Sequence, residues 1–69
     1  MSFTIREWRR IKEISQETMA SRLNVHVNTY QKWERDPGKI SMEKAIEVAK
    51  ILDVPLDSIK FAKSAEVTV

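Results

Sequence analysis

Residues 15–34, SQETMASRLNVHVNTYQKWE, set two helical periodicities end to end with almost no chain between them. Counted from Gln16, apolar side chains fall at the fourth, eighth, tenth, fifteenth and eighteenth places: Met19, Leu23, Val25, Tyr30 and Trp33. The fifth place holds Ala20, small where two helices would come close, and the ninth holds Asn24, which tolerates the left-handed backbone of a sharp bend. Two short helices with so tight a joint cannot lie antiparallel along a full interface, so they must cross steeply. The remainder of the fold has to be built around that crossing.

The flanking sequence supplies more helices. Thr4 followed by Glu7 forms a capping box, and Phe3 and Trp8 are placed as a hydrophobic staple for a first helix running to about Glu13. Ser15 caps a second helix from Gln16 to Leu23. A third begins at His26 or Val27, turns Tyr30, Trp33 and Glu34 inward, and is ended by RDPGK. Ser41 caps a fourth, whose expected buried stripe is Met42, Ala45, Ile46, Ala49 and Leu52. After the Asp53–Pro55 connector a short fifth helix is expected to carry Leu56, Ile59 and Phe61. The expectation is an all-α, compact five-helix bundle over residues 1–61, with a tail at 62–69 that is either a strand or disordered.

A chain of 69 residues buries only about 60% of its unfolded surface, so its stability is marginal and self-association would help it. Cysteine is absent and His26 is the single histidine, which excludes a disulfide and argues against a metal cage. The N-terminus carries charges where a signal peptide needs an apolar run, and no stretch approaches membrane-spanning length, so a soluble, cytoplasmic protein is expected. A net charge of +2 does not by itself select a partner. Glu13/Glu17 and Glu43/Glu47 are like-charged pairs typical of wet helix faces, with no glycine-rich phosphate loop or Ser/His/Asp set beside them. No enzyme activity, cofactor or small-molecule ligand is expected.

In IREWRR, ISQETMASRLNV, NTYQKWE and AKILDVPLDSI the chain resembles the Cro/CI-like (Xre-type) helix-turn-helix regulators of phages and bacteria, from Ile5 to about Phe61. The resemblance implies a five-helix fold that binds double-stranded DNA through its second and third helices. It departs from the family at Glu13 and Asn24, where glycine is frequent, and at Ile40, where proline is. At Arg9 and Glu34 the family often has a partly buried ion pair. Gln16 stands where family members bond a phosphate or buttress the recognition helix.

Helix geometry agrees. At about 100° per residue, Asn28, Gln31 and Lys32 project opposite the Tyr30–Trp33–Glu34 side, with Val27 at the edge. Asn can pair with adenine, Lys can donate to guanine and Val can meet a thymine methyl, so this face is a plausible reading set for the major groove. His26 and Thr29, at the positive end of helix 3, are candidates for phosphate contact, although His26 could equally be a plain helix-start residue. Arg35 and Lys39 are further phosphate candidates in the following loop. The trailing apolar residues Leu56, Ile59 and Phe61, with the tail, suggest a homodimer on DNA. The reading is a transcription regulator acting as a repressor. An antitoxin or restriction-modification controller of the same fold stays open, as does a helical protein-interaction module that has lost DNA binding.

Overall fold

A computed structural model describes residues 2–61. Among these, four α-helices carry the architecture: α1 (Ile5–Ile11), α2 (Gln16–Leu23), α3 (Val27–Arg35) and α4 (Met42–Leu52). Two short strands, β1 (Phe3–Thr4) and β2 (Ile59–Lys60), pair in parallel with Phe3 opposite Ile59 and Thr4 opposite Lys60.

The caps follow from local chemistry. Thr4 Oγ1 accepts from the Glu7 amide at 3.1 Å, and Glu7 Oε1 accepts from the Thr4 amide at 2.9 Å, closing the capping box. Phe3 meets Trp8 edge-on at 5.2 Å between ring centroids, fixing how the chain enters α1. Ser15 and Ser41 cap α2 and α4 through the amides of Thr18 and Lys44.

α1, α2 and α4 end in the same way. Glu13, Asn24 and Asp53 take left-handed backbone at φ 58°, 59° and 59°. The next amide then reaches back five residues: Ile14 to Arg9, Val25 to Ala20 and Val54 to Ala49. Each of those next residues is apolar and packs against the core. This is the Schellman motif with its hydrophobic contact, formed here without glycine. It turns the chain sharply enough for α2 and α3 to pack on each other across three linking residues.

The core gathers Ile5, Met19, Ala20, Leu23, Tyr30, Val48, Ala49, Leu52 and Ile59. Four expectations need correction. The fifth helix is absent: Leu56–Ser58 forms a single 3₁₀ turn, and Ile59 enters β2. The chain there is anchored by tertiary bonds that local periodicity cannot encode, namely the strand pairing and the Trp8 indole N–H donating to the Ser58 carbonyl at 2.8 Å. Ile59 is accordingly buried inside the molecule and is not a dimer residue.

Helix α4 also buries a different stripe, Ala45, Val48, Ala49 and Leu52, leaving Met42 67% and Ile46 41% exposed. Around the helix these two lie at the edge of the apolar arc, to one side of the buried stripe. Finally, α1 stops at Ile11 rather than Glu13, because the left-handed Glu13 already belongs to the turn. The tail at 62–69 lies outside the described residues.

Candidate nucleic-acid interface

The site is built on Glu34, whose side chain is only 2% exposed. Its Oε2 receives the Arg9 Nε at 2.6 Å and the Tyr30 hydroxyl at 2.5 Å, while its Oε1 receives Gln16 Nε2 at 2.9 Å. Arg9 also donates through Nη1 to the Ile14 carbonyl at 2.9 Å, tying the α1–α2 turn to the same cluster. One carboxylate thus joins α1, α2 and α3. Burial alone would raise the Glu34 carboxyl, but the hydrogen bonds from Arg9, Tyr30 and Gln16 outweigh it and hold the group below its ordinary range. Burial and then Glu34 push the Tyr30 phenol far above its usual value, so it stays a donor. For Arg9, burial works against the charge and the carboxylate overcomes it, leaving the guanidinium more firmly protonated than usual.

Gln16 extends the cluster outward. Its Oε1 accepts from Gln31 Nε2 at 3.0 Å, so the first residue of α2 bonds directly to the middle of α3. Gln31 is therefore half-buried and engaged rather than freely projecting. Val27 is likewise half-buried and packed against the core, so only its outer edge remains open. Asn28 and Lys32 are exposed, and Thr29 is half-buried. His26 caps α3: its Nδ1 accepts from the Asn28 amide at 3.1 Å, which places the ring proton on Nε2, free to donate outward. Lys32, Arg35 and Lys39 surround the half-buried Trp33 in a shallow hollow that Asp36 also lines. The outer side of α3 and its two ends thus offer Asn28, Lys32, Arg35, Lys39 and the His26 imidazole on one scaffold, backed by a rigid polar cluster.

Residues 5–59 match the helix-turn-helix family. The chain belongs to the Cro/CI-like (Xre-type) branch of that family. A relative from Rhodospirillum rubrum, described as an uncharacterized transcriptional regulator in the ATPase CF(0) region, is 38% identical over 53 residues. That alignment covers 77% of this chain and 49% of the relative, so the chain spans about half the length of the curated relative it matches. No solved structure gives a significant match.

The helix-turn-helix unit of this chain is α2 and α3 with the Asn24–His26 turn between them. Two participants were not read from the sequence. The Tyr30 hydroxyl is one, because an aromatic on an apolar stripe gives no hint that its oxygen reaches a carboxylate four residues on. Arg6 is the other: its Nε lies 3.9 Å from Glu34 Oε1 while the side chain stays 53% exposed. Its i, i+3 spacing from Arg9 was the available signal. Among the described residues no group of three or more His, Cys, Asp or Glu could hold a metal ion, and no helix is long and apolar enough to cross a membrane.

Proposed function

We propose that this chain is a sequence-specific binder of double-stranded DNA that regulates transcription from the cytoplasm, with α3 laid in the major groove. The observation that carries this reading is the contrast between the two sides of α3. The inner side is locked through Tyr30 and Glu34 to α1 and α2, while Asn28 and Lys32 stand exposed on the outer side. A helix held so rigidly can present side chains to base edges without paying for their alignment on binding. Family membership and the name of the Rhodospirillum relative support the same reading.

Asn28 and Lys32 take base edges in this reading, and the outer edge of Val27 meets a thymine methyl. Phosphates go to the free N–H of Gln16, Thr29, the His26 Nε2–H, Arg35 and Lys39. Binding over a promoter would exclude polymerase, which makes the protein a repressor. A homodimer on two half-sites is favoured by an exposed apolar surface: Met42, Ile46 and Leu56, with Phe61 beside them, flank two shallow hollows that share Leu56. Burying Met42, Ile46 and Leu56 between copies would supply stability a small domain lacks alone. No catalytic step, metal or cofactor enters.

A gel shift with random duplex DNA tests the class. Binding that weakens steeply with salt, with a minority of sequences retained at higher salt, supports it. No shift at micromolar protein in low salt would contradict it and favour a protein-interaction module.

A further inference from the structure

Lys44 stands where local chemistry disfavours it. It occupies the first turn of α4, its amide donating to the Ser41 cap at 3.1 Å, so a cation faces the positive end of that helix. What offsets this lies on another helix. The Lys44 Nζ donates to the Leu23 carbonyl at 2.8 Å, at the negative C-terminal end of α2, and meets Glu47 Oε1 at 3.3 Å. Leu23 is 0% exposed, so water does not reach that carbonyl. The nearby amides of Asn24 and Val25 are committed to Ala20 and Ser21. Among the described residues Lys44 is therefore the one donor the Leu23 carbonyl has.

The bond sits at the part of the helix-turn-helix unit that the Glu34 cluster does not reach. That cluster holds Gln16 at the start of α2 and Tyr30, Gln31 and Glu34 in the later turns of α3. Leu23 is the last residue before the Asn24–His26 turn, and Asn28 follows it by five positions. Among the described residues Lys44 is the one side chain from outside α2 and α3 that hydrogen-bonds this joint. We propose that Lys44 is a positioning residue for base recognition: by holding the end of α2 from α4, it fixes where the first turn of α3 carries Val27 and Asn28. The inference rests on α3 facing the major groove. Side chains that read base edges must be held within about 0.5 Å of their productive geometry. A joint left with an unpaired buried carbonyl shifts to find a donor, and the first turn of α3 moves with it. Lys32, one turn further on and next to the Glu34 cluster, moves less.

The test combines binding-site selection from random duplexes with thermal melts and amide hydrogen exchange, at a temperature where every protein compared is folded. The proteins are wild type, Lys44→Met, Lys44→Arg, Glu47→Gln and Asn28→Ala. Lys44→Met should lower the preference for the selected duplex over random duplex about 5-fold, the low end of what one base contact is worth. Selectivity should relax at the base pair that Asn28→Ala identifies and hold elsewhere. The Asn24 and Val25 amides should exchange about 5-fold faster relative to those of α1, as expected when a buried carbonyl loses its partner. Lys44→Arg keeps a cationic donor and should recover most of the preference. Glu47→Gln leaves the carbonyl bond in place and should match wild type. If Lys44→Met lowers the melt but keeps the preference and the motif, Lys44 is only structural and the proposal is wrong. It is equally wrong if Lys44→Met weakens every duplex alike and reduces the log–log salt slope by about one unit, the mark of a phosphate contact. Should Lys44→Met not fold, Lys44→Gln, which stays polar but ends one bond short of the carbonyl, is judged by the same criteria. An unchanged motif in Asn28→Ala would overturn the groove reading itself, and this proposal with it.

Discussion

Replacing Arg9 by methionine should cost this domain much of its stability, and the size of the loss follows from what Glu34 keeps. The carboxylate is 2% exposed and would lose its 2.6 Å bond to a guanidinium that is itself only 12% exposed. Removing one partner of a buried pair costs about 3–5 kcal/mol, because the other charge remains buried. Glu34 would still accept from Tyr30 and Gln16, and the half-exposed Arg6 stands 3.9 Å away, which puts the cost near the lower end, about 3 kcal/mol. A domain of this size has about 3–10 kcal/mol in total, so the variant sits close to unfolding. The melting temperature should fall by about 12–24 °C, read by far-ultraviolet circular dichroism at pH 7. The Glu34 carboxyl is depressed in the folded state, so its contribution is present above the unfolded carboxyl pKa of about 4.3 and is lost as pH falls through the folded value. In Arg9→Met the same carboxyl is buried with less support, and protonation relieves it. The gap between the two proteins should therefore narrow from pH 7 to pH 3. Arg9→Met/Glu34→Gln should recover more than half of the loss at pH 7, since no unpaired buried charge remains. A variant that melts within about 2 °C of wild type, or a gap that ignores pH, would refute the assignment of Glu34 as the keystone.

Trp33→Ala should cost about 2 kcal/mol, less than the 3–5 kcal/mol of a fully buried aromatic, because Trp33 is only half-buried. Urea denaturation measures this, and a loss above about 4 kcal/mol would mean the ring is core. Glu13→Gly should stabilise by about 0.5–1 kcal/mol by removing the strain of left-handed backbone at φ 58° on an exposed residue. A lower melting temperature would show that Glu13 makes a compensating contact. Met42→Glu/Ile46→Lys should abolish cooperative occupation of two half-sites in a gel shift while the helical circular dichroism signal persists, because both side chains are exposed on the single chain. Unaltered cooperativity would remove that surface from the dimer.

The sequence carried what short-range chemistry decides. Ser15, Asn24 and Ser41 each act within four residues of themselves, so the α2–α3 joint and the starts of α2 and α4 could be read directly. Asp53 carries the same local signal, since Val54 follows it as Val25 follows Asn24, and its left-handed turn lies within the Asp53–Pro55 connector. The segment after Pro55 was not legible for a different reason. Its apolar spacing suits a helix, yet its conformation is set by Phe3 and Trp8, fifty or more residues from their partners Ile59 and Ser58. On α4 the apolar arc is wider than the core it faces, so periodicity alone could not separate buried Val48 from exposed Met42 and Ile46. In the site, residue types and faces were visible for Arg9, Glu34, Asn28 and Lys32. The Gln16–Gln31 bond was not, because nothing local shows that two amides eighteen and three residues from Glu34 converge on one line of hydrogen bonds.

The central claim is that α3 reads base sequence through its exposed side, and a binding-site selection with Asn28→Ala and Lys32→Ala tests it most directly. Each variant should lose about 1–3 kcal/mol for the preferred duplex and relax selectivity at one base pair. If the Lys32 ammonium served a phosphate instead of a base, Lys32→Ala would leave selectivity intact and reduce the slope of log affinity against log salt by about one unit. Both variants returning the wild-type motif at full selectivity, with unchanged affinity, would contradict the account.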